Sequence, residues 1–229
     1  MSIFGISDLH LSLSADKPMD VFKGWDNYVE RLTAHWNKIV SSEDTVVIPG
    51  DISWALKLKD CYEDFKFLNS LPGTKIILKG NHDLWWSTTN KMNIFLEENN
   101  FDSIKFVFNS AIPVGEYVIC GSRGWFFDDK EQSKKVILRE AGRLRTSIEK
   151  ALETGLEPLV FLHYPVVYKE QVCEELLDVL LEFNIKDVWY GHIHGAGKQP
   201  SLINHSGINF HLITCDSIDF SPILIRRQH

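Results

Sequence analysis

The chain has 229 residues, 44% of them hydrophobic and 24% charged, an ordinary globular balance with enough length to bury an α/β core. No apolar run approaches the roughly 20 residues needed to cross a bilayer, and MSIFGISDLHLS lacks the basic and apolar regions of an export signal, so a cytoplasmic protein is expected. The formal net charge of −7 makes long duplex nucleic acid a poor fit as the main partner. The densest cationic run, Lys134, Lys135, Arg139, Arg143 and Arg145, is interleaved with Glu131, Glu140 and Glu149 and reads as a solvated helix face.

In chain order, residues 3–7 are expected to form a first strand that ends at Asp8. Trp25, Val29, Leu32, Trp36 and Ile39 recur at helical spacing and predict a helix over 22–40. TVVIPGD is a β-branched run stopped by Pro-Gly, a second strand. A helix over 54–70 would turn Leu56, Cys61, Phe65 and Leu68 to one side, and LPG breaks it. KIILKGNHD is a third strand ending in a Gly-Asn loop, and a helix follows over 87–98. The next stretch, SIKFVFNSAIPVGEYVICGSRGW, holds three short strand-like runs without helices between them, with VGEY as a hairpin turn.

Ile137, Ala141, Leu144, Ile148 and Leu152 stripe a helix over about 130–153, closed by Gly155. PLVFLHYP is then a strand, 170–182 a helix and DVWYGHIHG a strand; SLINHSGINFHLI and PILIRR supply the last runs. The β-α-β-α-β-α opening implies parallel strands with crossover helices, and the hairpin runs imply a second sheet packed on the first. Nothing marks a linker or a repeat, so one domain over 1–229 is expected. Cys61, Cys120, Cys173 and Cys215 are scattered without a C-x-x-C pair and read as reduced, buried thiols.

Five of the apolar runs end in a loop that carries a carboxylate, an amide or an imidazole: SDLH, PGDIS, GNHD, LHY and GHIH. Sites in open α/β sheets form beyond the carboxyl ends of the strands. That rule would gather Asp8, His10, Asp51, Asn81, His163, His192 and His194 around one crevice. Asp-x-His and His-x-His put two ligands on the same side of an extended segment. Gly50, Gly80 and Gly191 let the backbone turn and approach an ion. Imidazole mixed with carboxylate oxygen suits Mn, Fe, Zn or Co better than Ca or Mg. Seven ligands are too many for one ion that must keep room for substrate, and about right for two ions sharing a bridge. The two-oxygen carboxylate of Asp51, on a strand early in the crossover series and therefore central, is the natural bridge.

The series Asp8-x-His10, Gly50-Asp51, Gly80-Asn81-His82-Asp83, His163 and Gly191-His192-x-His194, in order over residues 8–194, resembles the calcineurin-like metallophosphoesterases. The resemblance implies an α/β fold, a four-layer α-β-β-α sandwich with two mixed β-sheets flanked by helices. It implies that Asp8, His10 and His194 hold a first divalent ion, that Asn81, His163 and His192 hold a second, and that Asp51 bridges them. It makes His82 the catalytic residue that contacts the phosphoryl group and helps protonate the leaving oxygen, with Asp83 orienting it from behind. Two such ions would offset the charge of a phosphate ester and ionise a bridging water for in-line attack. The expected function is therefore a dinuclear metal-dependent phosphohydrolase acting on small phosphate mono- or diesters.

Asp51 is followed by Ile-Ser-Trp-Ala rather than Asp-Arg-Gly, and GNHD stands in place of GNHE. The chain thus departs from the protein Ser/Thr phosphatases and looks closer to small bacterial-type phosphohydrolases. A cyclic-nucleotide or nucleic-acid phosphodiesterase is the second reading, and a non-catalytic metal-binding scaffold the third; scaffolds typically lose ligands, and none of the seven is missing. In GSRGWFFDD, Arg123 is either a phosphate-binding fork or a salt-bridged structural residue, and Trp125, Phe126 and Phe127 either stack on a base or fill the core. Trp54, Trp85 and Trp86 follow motif loops and either wall the pocket or belong to the core. His35, His205, His211 and His229 fall outside the pattern and read as structural.

Overall fold

In the computed structural model, which describes residues 1–125, 131–195 and 201–227 apart from the side chains of 131–133, the apolar runs become the centres of two sheets. Strands β1 (Ser2–Gly5), β2 (Thr45–Ile48), β3 (Thr74–Ile77), β4 (Ile104–Phe106) and β13 (Ile223–Arg227) form one sheet of order β13-β1-β2-β3-β4. Its first four strands are parallel and β13 is an antiparallel edge. The second sheet contains β5 (Ile112–Val114), β6 (Tyr117–Ser122), β7 (Glu157–Leu162), β10 (Asp187–Tyr190), β11 (Leu202–His205) and β12 (Ile208–Leu212), in the order β11-β12-β10-β7-β6-β5. It is parallel inside and antiparallel at both edges. Every residue of β2 is buried, as expected of a strand covered on both faces, which needs an unbroken apolar run rather than an alternating one.

Three apolar layers hold the sheets and helices together. Ile3, Val47, Ile76, Ile119, Phe161 and Trp189 fill the space between the sheets. Helices α1 (Tyr28–Ile39), α2 (Tyr62–Ser70) and α3 (Thr89–Glu98) cover the outer face of the first sheet through Leu32, Trp36, Phe65, Leu68 and Met92. Helices α4 (Glu131–Leu152) and α5 (Glu174–Glu182) cover the second through Leu144, Ile148, Leu176 and Leu180. The architecture is the expected α-β-β-α sandwich with two mixed sheets. No helix among the described residues is long and apolar enough to cross a membrane, and all four cysteines are buried and unpaired.

The departures from expectation are local. Helix α1 starts at Tyr28, not near residue 22, because Gly24 (φ 90) and Asn27 (φ 49) take left-handed conformations just before it. Trp25 is buried ahead of the helix instead of on it. The segment 54–70 opens irregularly, makes a 3₁₀ turn over Leu58–Cys61 and only then becomes α2; Leu56 is 68% exposed and does not share the face of Phe65. The first part of 170–182 is not helical. Lys169 at φ 54 closes a tight ribbon between β8 (Val167–Tyr168) and β9 (Gln171–Val172), and α5 follows it. Ile39 and Leu152, the last residues of their helices, are exposed, and Ala151 takes the buried position at the end of α4.

Candidate metal centre

The parallel order puts the carboxyl ends of β1, β2 and β3, and of β7 and β10 from the other sheet, on one edge of the sandwich. Because β2 is the middle strand of its sheet, Asp51 lands centrally. The loops reach the centre by left-handed turns and not by strand alternation. Asp8 (φ 62), His10 (φ 46), Asp51 (φ 52) and His192 (φ 69) all have positive φ, which corrects the expectation of extended Asp-x-His and His-x-His segments. Such a conformation costs an ordinary L-residue about 1–2 kcal/mol, and Asp, Asn and His tolerate it best. The loops also pack as closely as glycine permits. A Cβ on Gly80 would fall 2.1 Å from Asp51 Oδ1, and one on Gly191 would fall 2.2 Å from Asp8 Oδ2.

All seven expected side chains converge. His10 Nε2 and His194 Nε2 lie 3.1 Å apart. His194 Nε2 is 3.5 Å from Asp8 Oδ1, and His10 Nε2 is 3.8 Å from Asp51 Oδ2. On the other side, His163 Nε2 is 3.5 Å from the same Asp51 oxygen and 2.6 Å from Asn81 Oδ1, which His192 Nδ1 also approaches at 2.9 Å. Backbone N–H groups steady the carboxylates: His82 N–H donates to Asp51 Oδ1 at 2.7 Å, and His192 N–H donates to Asp8 Oδ2 at 3.0 Å. Asp8, His10 and His194 form one group of donor atoms within 4.8 Å of one another, and Asp8, Asp51 and His163 form another.

The charges in this cluster are out of balance. Burial drives His10 and His163 down to about 3 and His192 down to about 4, so these rings are neutral and keep a free lone pair. Burial, with repulsion from Asp8 and Asp83, raises Asp51 to about 9. Burial also opposes ionisation of Asp8, but His163, the hydrogen-bonded His194 and His10 outweigh it and hold Asp8 well below the carboxylate range. His194 feels the same burial, yet its bonds to Asp216 and Asp8 carry it up to about 10. Buried carboxyl groups beside three neutral imidazoles, with the protons on His194 and Asp51 standing where a cation would displace them, are a donor set that fits divalent metal ions.

His82 is exposed beside this cluster, its ring 5.6 Å from His10 and 4.5 Å from Trp54 between centroids. Burial and then Lys17 lower its pKa. Asp83 is buried, and its hydrogen bonds among the described residues run elsewhere. Oδ2 accepts from Gly80 N–H at 2.8 Å and Asp51 N–H at 2.9 Å, and Oδ1 from Ile52 N–H at 2.8 Å and the Trp85 indole at 3.1 Å. The idea that Asp83 orients the His82 ring is therefore corrected: both oxygens are occupied in tying the second and third loops together.

Arg123 is 17% exposed, 3.4 Å from the buried Glu140 carboxylate, with its guanidinium 4.9 Å over Trp125. Glu140 also takes Arg143 at 2.6 Å. The cavity beside them, about 10 Å³, has room for no more than one water and is too small for a phosphate group. Arg123 thus has the salt-bridged arrangement of the two expected for it. Trp125 packs on Tyr164, which covers His192 at 4.3 Å; Phe126 and Phe127 lie outside the described residues. Of the three tryptophans after motif loops, Trp85 is core and Trp86 packs on Phe106, while Trp54 stacks on His10 at 4.8 Å and walls the site. His35 bonds the Asp219 carbonyl and His211 bonds Asp187, both away from the cluster; His229 lies outside the described residues.

One site residue escaped the sequence reading. Asp216 Oδ1 lies 3.1 Å from His194 Nδ1, and its Oδ2 accepts from Gly195 N–H at 2.8 Å. The signal was present: FHLITCD is another apolar run that ends in a carboxylate, and β12 is parallel to β10. A groove of about 440 Å³ opens onto the centre at His10, His82 and His194.

The sequence profile of the calcineurin-like phosphoesterases matches residues 1–196, and the chain belongs to that family. It is accordingly a metal-dependent phosphoesterase, a hydrolase that uses divalent metal ions. No curated protein matches the chain. Among solved structures, TT1561 of Thermus thermophilus is similar at 14% identity and a TM-score of 0.62, over 98% of this chain and 97% of that one. AQ665 of Aquifex aeolicus, described as a protein of unknown function, is similar at 20% identity and 0.53, over 97% and 95%. Phosphopantetheinyl hydrolase (PptH) of Mycobacterium tuberculosis is similar at 14% identity and 0.51, over 93% and 88%. These similarities show the fold.

Proposed function

We propose that this phosphoesterase works with two divalent transition-metal ions, Mn, Fe, Zn or Co, and hydrolyses small phosphate mono- or diesters. Asp8, His10 and His194 would hold the first ion, Asn81, His163 and His192 the second, and Asp51 would serve both. The observation that carries this reading is Asp51 Oδ2, which lies 3.8 Å from His10 Nε2 and 3.5 Å from His163 Nε2, one imidazole from each group. When bound, the ions supply positive charge to the phosphoryl oxygens and lower the pKa of water.

The chain's own residues do the rest. Neutral imidazoles at His10, His163 and His192 offer lone pairs at physiological pH, and Asp216 fixes the ring of His194 from behind. His82 stands at the mouth and, in its imidazolium form, gives a proton to the alcohol oxygen as its bond to phosphorus breaks; the proton lost by the attacking water restores that form. The net reaction adds one water across the P–O bond, releasing alcohol and phosphate, or alcohol and a monoester. Four unpaired, buried thiols support a reducing, cytoplasmic setting.

The test is metal analysis of protein purified with Mn²⁺, joined to a panel of p-nitrophenyl phosphate, its bis ester, cyclic nucleotides and phosphoproteins. The expected result is close to two metal equivalents and turnover of the small esters. Full turnover with a single equivalent would overturn the two-ion reading. Activity on cyclic nucleotides or phosphoproteins alone would overturn the small-ester reading.

A further inference from the structure

The groove that opens onto the metal centre has a floor of imidazoles and walls of another character. Met19, Phe22, Trp25 and Trp54 line it beside His10, His82 and His194. Phe22 is 55% exposed. Two polar groups of the walls are already engaged: Trp54 Nε1 donates to Met19 Sδ at 3.2 Å, while Asp216 accepts from Gly195 N–H at 2.8 Å and faces His194 at 3.1 Å. What the walls offer a ligand is mainly apolar contact. Across the Trp54–His82 contact, a second hollow of about 390 Å³ continues the apolar surface with Leu56 and Leu84, 68% and 64% exposed. Cations stand at the rim: Lys23 lines the groove, and Lys17 Nζ lies 3.8 Å over the Trp54 ring. Large apolar side chains left exposed around a polar centre mark a binding surface.

We infer that the substrate is an amphiphilic phosphate ester, with its phosphoryl group on the metal centre and its alkyl part between Met19, Phe22, Trp25 and Trp54. This rests on the phosphoester reading above and narrows it. The continuity of the apolar walls with the metal-facing imidazoles ties the groove to the same substrate, and the lysines at the rim favour the approach of an anion. A nucleobase fits less well, because selecting one requires hydrogen-bonding groups aimed at its edge.

The test measures binding, not turnover. Mn²⁺-loaded protein is titrated by calorimetry with methyl-, butyl- and octylphosphonate, each below its micelle concentration, and with adenosine monophosphate. Each buried methylene favours binding severalfold, so with partial burial octylphosphonate should bind about 10–100-fold tighter than methylphosphonate. Phe22→Ser should remove most of that gain. Leu138→Ser, at an exposed leucine on α4, should keep it, which separates the groove from general stickiness. Equal affinity along the series, or adenosine monophosphate binding tighter than octylphosphonate, overturns the inference and leaves the phosphoester reading standing. No binding of any phosphonate by protein that holds its metal sinks that reading, and the inference with it.

Discussion

Strand β10 has a histidine–aspartate pair near each end, and the two pairs have opposite fates. Asp187, the first residue of β10, meets His211 of β12 at 2.8 Å. That ring stacks on Trp189 at 5.3 Å and 13°, and the remaining capacity of Asp187 goes to Asn209 at 3.3 Å and Arg226 at 3.5 Å. Beyond the other end of β10, His194 meets Asp216 at 3.1 Å. Here the second ring nitrogen points to His10 and Asp8, and these lead on to Asp51 and His163. At the first end the carboxylate of Asp187 has Arg226 as its opposite charge, and Arg226 faces Glu157 as well. At the second, burial and two neighbouring carboxylates force Asp51 up to about 9. A histidine–aspartate pair is therefore no site by itself. A site begins where the far side of the imidazole faces more lone pairs than protons can satisfy.

The sharpest way to break this contrast is at Asp51, the group shared by both halves of the cluster. Asp51→Asn should lower turnover by at least about 10³-fold, more than the loss of one outer partner of a metal ligand, and metal analysis should read at most one equivalent. Full metal content with normal turnover would remove Asp51 from the bridge. His82→Ala should cost about 10²–10⁴-fold in kcat while metal content stays unchanged; loss of metal along with activity would make His82 a structural residue. Asp216→Asn should be milder, with metal affinity weakened about 10–100-fold and read as an earlier midpoint in a chelator titration. An unmoved midpoint would place Asp216 outside the metal site.

How far the sequence was legible depended on how local the cause was. The strands of both sheets and most helices follow from apolar runs and periodicity, which report burial directly. The start of α1 and the ribbon before α5 do not, because single left-handed residues, Asn27 and Lys169, decide them; asparagine merely tolerates that conformation, and lysine gives no sign of it. The convergence of the seven donors could be read from strand ends alone. The means of convergence could not: left-handed Asp8, His10, Asp51 and His192 are imposed by packing between loops far apart in sequence. Asp83 shows the same limit. Its place in GNHD marks it as important, but that its carboxylate would tie two loops together depended on which N–H groups folding brought to it. Asp216 was missed for want of applying the strand-end rule once more.

The smallest expected effect lies at the opposite end of β10 and tests the contrast from its quiet side. Burial alone would raise Asp187, but the His211 and Asn209 hydrogen bonds and the nearby Arg226 win and hold its pKa below the ordinary value of 3.8. The folded state thus binds this proton less tightly than the unfolded state does. The resulting stability is fully present above about 3.8, the unfolded value, and is lost as pH falls through the lower folded value. Asp187→Asn should therefore cost about 1–2 kcal/mol at pH 7, typical of hydrogen bonds to a charged group in a partly exposed site. The gap from wild type in urea titrations should close as the pH is brought below 3.8. Metal content and turnover should not change, since the pair touches none of the seven donors. A fall in metal affinity from Asp187→Asn would show that the two ends of β10 are coupled, and the contrast between them would fail.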